Sequence, residues 1–178
     1  MKKIVILALL LGGLAVVSLP LLDEQPAPPP SAAPDFAYTA IDGHGGRLHD
    51  LKGKIVLLHF WASWCAPCAA EFPGLLDFTA TRRDITVLAV TVDAERAAAE
   101  KFLADIPAKR GGNGMPANFL VIHDPEKKIA QDIFQTFGYP ETILIAPDMT
   151  MRGKIVGPAD WKDAAMQAKL AALTHERP

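Results

Sequence analysis

Cys65 and Cys68 are the two cysteines of a 178-residue chain, and they stand between an apolar run and a helix-forming one. Residues 54–61, Lys-Ile-Val-Leu-Leu-His-Phe-Trp, predict a buried strand, and residues 69–81 predict the helix after it. The pair therefore sits where a strand ends and a helix begins. Backbone N–H groups at a helix N-terminus, with the macrodipole behind them, favour a thiolate over a thiol. Pro67 fits the first helical turn, where its missing N–H costs nothing. Cys65 is expected to be the exposed nucleophile, and Cys68, one turn into the helix, the resolving thiol. A structural zinc site needs four ligands, and no second Cys/His cluster accompanies the pair. A purely structural bridge would close almost no loop and stabilise little. Two-electron dithiol–disulfide chemistry is the stronger reading.

The rest of the chain bounds where that chemistry operates. Net charge is −2, with no sign of a nucleic-acid partner. Met1-Lys2-Lys3 precedes residues 4–22, an uncharged, apolar-dominated run long enough to cross a bilayer as a helix. The run meets Asp23-Glu24, a poor cleavage site, so residues 1–22 are expected to be a membrane anchor, with a cleaved signal sequence as the alternative. Lys2 and Lys3 would hold the N-terminus inside, and either reading exports the remainder of the chain. Residues 23–34 carry prolines at 26, 28, 29, 30 and 34 and predict an extended spacer.

Residues 35–178 predict one α/β unit. Strands are expected at 36–41, at 47–51 as its return after a turn over 42–46, and at 55–61, 84–93, 119–122, 141–146 and 151–156, and helices at 94–106, 126–137 and 160–175 beside that of 69–81. Pro73 is expected to kink its helix, and 107–118, rich in glycine and proline, to be a loop. Ile129, Ile133, Phe134 and Phe137 fall on one face of the 126–137 helix. The alternation implies a mixed central sheet flanked by helices on both faces.

Several motifs together resemble the thioredoxin fold: Phe-Trp-Ala-Ser-Trp-Cys-Ala-Pro-Cys (60–68), Pro73, and Gly-Tyr-Pro-Glu-Thr (138–142). Pro34-Asp-Phe, Asp50-Leu-Lys-Gly-Lys54, Glu71-Phe-Pro73 and Ile155-Val-Gly157 narrow the resemblance to the membrane-anchored TlpA/ResA/CcmG-like group. The resemblance implies a thioredoxin-like domain with an N-terminal β-hairpin and a central helix–strand insertion. It implies extracytoplasmic thiol–disulfide exchange, often in cytochrome c maturation. Pro140, by the same resemblance, is cis and faces the cysteines, presenting the Tyr139 backbone to an extended substrate.

Glu71 lies three residues beyond Cys68, on the same helix face, within reach to take the resolving thiol's proton. Trp64 is expected to line a substrate platform beside Cys65, and Trp61 to pack. His59 departs from the group, which often has Asn there. Taking Trp61 as the exposed end of the strand places His59 on a packed face, where it could relay a proton with a pKa in a useful range. No cofactor is expected beyond the redox-active Cys65–Cys68 disulfide.

The expected reaction is attack of the Cys65 thiolate on a disulfide of an exported protein, then attack of Cys68 on the mixed disulfide. By resemblance the protein is a reductase on the periplasmic or outer face of a bacterial inner membrane. A membrane thiol carrier would recharge it, and apocytochrome c is a candidate client. Two alternatives remain. One is a copper metallochaperone with His123 as a third ligand. The other is a peroxiredoxin-like peroxidase, whose usual Thr-x-x-Cys setting is absent.

Overall fold

A computed structural model describes residues 6–10, 13–17, 31–109, 111–112 and 114–175. Near the N-terminus, β1 (Ile6–Leu10) and β2 (Gly13–Val17) pair as an antiparallel ribbon. The helical rise that sizes residues 4–22 as a span does not describe these ten residues. No helix among the described residues is long and apolar enough to cross a membrane. The rest of the anchor or signal sequence, and the spacer as far as Pro30, lie outside the described residues.

The spacer ends earlier than its composition suggests. Ser31–Ala32 form β3, Ala33 is buried, and its N–H donates to the Met149 carbonyl at 2.8 Å. The expected hairpin comes next as β4 (Ala37–Thr39) and β5 (Gly45–Arg47), its return strand falling earlier than the expected 47–51. A 3-10 turn, Leu48–Leu51, leads into β6 (Ile55–Trp61). After β6 come α1 (Ala66–Ala80), β7 (Ile85–Thr91), α2 (Arg96–Ala104) and the short α3 (Ile106–Lys109). The chain continues through β8 (Phe119–His123), a π-type helix (Lys128–Ile133), β9 (Glu141–Ile145), β10 (Thr150–Val156) and α4 (Ala164–His175). The sheet order is β3-β10-β9-β6-β7-β8. β6, β7 and β8 run parallel, β9 pairs antiparallel with β6, and β10 pairs antiparallel with β9, so the sheet is mixed as expected.

Every residue of β6 and β7 is buried, the mark of strands covered on both faces. Aromatic contacts show what covers each face. Phe60 packs on Phe134, which also meets Phe36. On the other face Trp61 meets Phe72 of α1 and Phe102 of α2, and His59 also faces Phe72. Trp61 is thus buried, not exposed, and shares its face with His59, as residues two apart on a strand must.

Three further expectations change. α1 runs unbroken through Pro73. The helix after β7 breaks at Asp105, and α3 takes the start of the 107–118 loop. The helix after β8 closes at Ile133, and Gln135 turns the chain out at φ 51°. Phe137 therefore leaves the core face and is 71% exposed.

Candidate active site

Cys65 is the N-cap of α1, with Pro67 in the first turn behind it. The Cys68 N–H points back at the Cys65 sulfur, 3.3 Å away. The two sulfurs are bonded at 2.02 Å, and no cysteine is free. A donor aimed at Sγ, backed by a helix N-terminus, stabilises negative charge on Cys65 once the bond is reduced. Cys65 is less exposed than expected, at 5%, but Cys68 is wholly buried, so a substrate reaches Cys65 first.

The loop before Cys65 is fastened by a residue whose role the sequence hides. Buried Asp93, just past β7, accepts from the Ser63 N–H at 3.0 Å, the Ser63 hydroxyl at 2.8 Å and the Thr91 hydroxyl at 2.6 Å. Its available signal is a carboxylate at the C-terminal end of a parallel strand, where α/β sites form. Next to Ser63, Trp64 is 66% exposed and meets the Tyr139 ring edge-on at 6.1 Å.

Tyr139–Pro140 is cis. The Pro140 carbonyl accepts from the Gly157 N–H at 2.9 Å, and the next residue, Glu141, is buried with Thr136 and Lys154 on one carboxylate oxygen. Gly157 adopts φ +87°, which an L side chain would resist, and there the chain leaves β10 to cross behind α1.

That crossing brings Trp161 to Glu71. The indole Nε1–H donates to Glu71 Oε1 at 2.6 Å, and the ring stacks on Phe78. Glu71 is 7% exposed and its Oε2 has no partner among the described residues. Burial pushes its pKa up to about 7, against the pull of the Trp161 and Ala159 N–H groups. A carboxyl one turn from Cys68 with that proton affinity is half ionised at neutral pH. Sequence reasoning placed 160–175 in a helix and so missed Trp161; the helix begins at Ala164.

His59 does not have the proton affinity expected of it. It is fully buried, shares a 2.9 Å hydrogen bond between Nδ1 and the Thr142 hydroxyl, and burial drives its pKa down to about 3. It is neutral near neutral pH. Its contribution is a cross-strand tie, His59 opposite Thr142, two residues from cis-Pro140.

Comparison with known proteins agrees with this geometry. The model of the AhpC/TSA family matches residues 29–154. The thiol-disulfide oxidoreductase ResA of Geobacillus kaustophilus is 32% identical over 129 residues, 71% of this chain and 68% of that one. The chain belongs to the AhpC/TSA family, among its ResA-like thiol–disulfide oxidoreductases. Solved structures agree. A Chlorobium tepidum protein named as a candidate thiol:disulfide interchange protein DsbE matches at 32% identity and TM-score 0.68, covering 81% of this chain and 96% of its own. The exposed lipoprotein thioredoxin Etrx1 of Streptococcus pneumoniae matches at 31% identity and TM-score 0.57, covering 76% and 98%. The fold is thioredoxin-like, and the protein is a thiol–disulfide oxidoreductase with Cys65 and Cys68 as its dithiol.

The two alternative chemistries find little support in the same residues. Among the described residues no three His, Cys, Asp or Glu side chains are grouped to hold a metal. His123, the third ligand of the copper alternative, places Nε2 2.8 Å from the Asp93 carbonyl. Ala62 stands three residues before Cys65, where the peroxidase setting needs a threonine hydroxyl.

Proposed function

We propose that this protein reduces disulfides of exported proteins on the outer side of a bacterial inner membrane, to which residues 1–22 direct it as an anchor or a signal sequence. Cys65 attacks the client disulfide and forms a mixed disulfide. Glu71 then accepts the Cys68 proton, and the Cys68 thiolate attacks Cys65. The Cys65–Cys68 bond forms, the client thiol leaves, and two electrons have passed to the client. Trp64, Tyr139 and Pro140 form the surface against which an extended client segment lies. A membrane thiol carrier re-reduces the disulfide, which serves in place of any cofactor. Haem-site cysteines of apocytochrome c and copper-site cysteines of an assembling oxidase are the candidate clients.

One observation carries the reading. The Cys68 N–H, at a helix N-terminus, is directed at the sulfur of the more accessible Cys65. Cys68→Ser in the native membrane should leave clients covalently attached to Cys65, and Cys65→Ser should leave none. Recovery of exported proteins with paired cysteines, cytochrome precursors among them, is the expected result. If the full-length protein neither traps such clients nor speeds insulin reduction by dithiothreitol, the reading is wrong.

A further inference from the structure

Glu71 is held from outside its own helix. Its anchor is a short segment after β10 that also grips the other wall of the site. At the start of that segment the Gly157 N–H donates to the cis-Pro140 carbonyl at 2.9 Å. At its end the Trp161 indole N–H donates to Glu71 Oε1 at 2.6 Å. Trp161 is 2% exposed and fixed on two further sides, by the Phe78 ring stacked at 5.9 Å and by Gln167 Nε2 donating to its carbonyl at 2.5 Å. An indole nitrogen is a donor only, so it can bond the carboxylate in either protonation state but holds the ionised form more strongly. Oε2, buried and without a partner among the described residues, is the oxygen left to meet a proton.

We propose that Trp161 is the positioning residue of the resolving step: its N–H occupies Oε1, fixes the Glu71 carboxyl plane, and leaves Oε2 to accept the proton of Cys68. This rests on the reading of Glu71 as the proton acceptor. In the step itself the Cys68 S–H bond breaks and its proton passes to Oε2. The Cys68 thiolate displaces the client sulfur from Cys65, and the departing client thiolate takes up a proton from water or from Glu71. No outside oxidant or reductant enters.

The groups acting on Glu71 are few. From α1, Cys68 is the titratable neighbour one turn away; from β6, His59 is neutral. From the 157–161 segment come the Trp161 and Ala159 N–H groups, and no charged side chain contributes to the displacement of the carboxyl. Removing the indole donor therefore acts on Glu71 without rearranging any ion pair.

The test uses the full-length reduced protein and a symmetric chromogenic aryl disulfide. The first equivalent of coloured thiolate reports attack by Cys65, and the second reports resolution by Cys68. Trp161→Phe keeps a ring against Phe78 and loses the N–H. The indole N–H holds the ionised carboxylate more strongly than the neutral carboxyl, so on its loss the pH midpoint of the second phase should rise by about one unit. At pH 7 that phase should slow about fivefold, while the first phase stays within twofold. Glu71→Gln should slow the second phase at and above pH 7, where the carboxylate is the acceptor, match the unsubstituted protein at low pH, and erase that midpoint. If Glu71→Gln leaves the second phase unchanged, the role of Glu71 itself is wrong. If Glu71→Gln slows it but Trp161→Phe does not move the midpoint, Trp161 is packing alone.

A measurement on the unsubstituted protein covers the case where Trp161→Phe does not fold. The chain has three tryptophans, 61, 64 and 161, hence three indole N–H resonances. One of them should titrate near pH 7 and cease to do so in Glu71→Gln. Three indole signals that are all flat across that range overturn the proposal.

Discussion

His59 on β6 and Glu71 on α1 lie behind the same disulfide, both buried, and the same force takes them to opposite ends of usefulness. Desolvation disfavours charge on either. For an imidazole that means a fall to about 3, far from neutrality. For a carboxyl it means a rise to about 7, onto neutrality. A buried carboxyl becomes a working acid–base group at neutral pH, whereas a buried histidine ceases to be one. His59 therefore adds no titrating group to the strand near neutral pH, and on the proposed reading proton handling falls to Glu71 on the helix.

The contrast has a signature in stability, and it gives the largest predicted effect. Glu71 has a raised folded pKa, so its stabilising share is fully present below about 4.5 and is lost as pH rises through about 7. His59 has a depressed folded pKa, so its share is fully present above 6.5 and is lost as pH falls towards about 3. Between pH 4.5 and 6.5 the two slopes oppose each other, each near 1.4 kcal/mol per pH unit, and should nearly cancel. Glu71→Gln should then tilt the urea-unfolding free energy of the oxidised protein upward with pH relative to the unsubstituted chain. His59→Asn should tilt it downward. Over two pH units the variants should diverge by about 5 kcal/mol at most, less whatever residual hydration screens Glu71. Parallel lines for all three proteins would refute the opposition.

A second, smaller effect separates tie from relay. His59→Asn keeps a polar partner for the Thr142 hydroxyl but leaves space beside Phe72. A loss of ~1–2 kcal/mol is expected, from a shrunken buried side chain and a weakened hydrogen bond. The second phase of the aryl-disulfide reaction should keep its rate within twofold and its midpoint unmoved. A shifted midpoint would restore His59 to the proton path.

Legibility in the sequence falls with distance along the chain. The dithiol, the helix that it caps and Glu71 on that helix are local patterns within seven residues, and each is visible in the sequence. Pro140 lies far off, and its cis bond came from family resemblance, since nothing in Gly-Tyr-Pro-Glu-Thr itself demands it. The buried strand is visible, but its two faces are not. An unbroken apolar run has no alternation to show which side chain meets which layer, and hence Trp61, which packs as expected, is misread as the exposed end of the strand. Phe137 keeps helical spacing in the sequence but loses it in space, because Gln135 turns left-handed just after the π-type helix ends. Trp161 is the least legible. Its partner is 90 residues away, and only the turn at Gly157 brings the two together.

The smallest effect tests whether burial, rather than residue type, is what sets Glu71 apart. Glu100 is a glutamate on another helix, one turn from Arg96, with its carboxylate 2.6 Å from the guanidinium and both side chains about half exposed. The Arg-before-Glu order is the weaker one on a helix. Arg96 is also anchored elsewhere, donating to the Ile41 carbonyl at 2.8 Å, so it keeps a partner when the carboxylate goes. Water screens the pair, and at 1 M salt the screening length falls to about 3 Å, comparable with the contact itself. Glu100→Gln should therefore cost only about 0.3 kcal/mol at low ionic strength, and nothing measurable in 1 M salt. It should leave the pH slope between 4.5 and 6.5 untouched, whereas the slope change from Glu71→Gln should survive added salt. A Glu100→Gln protein that reproduced the Glu71→Gln tilt would show that losing any carboxylate suffices, and the distinction drawn between the helix surface and the site behind the disulfide would fail.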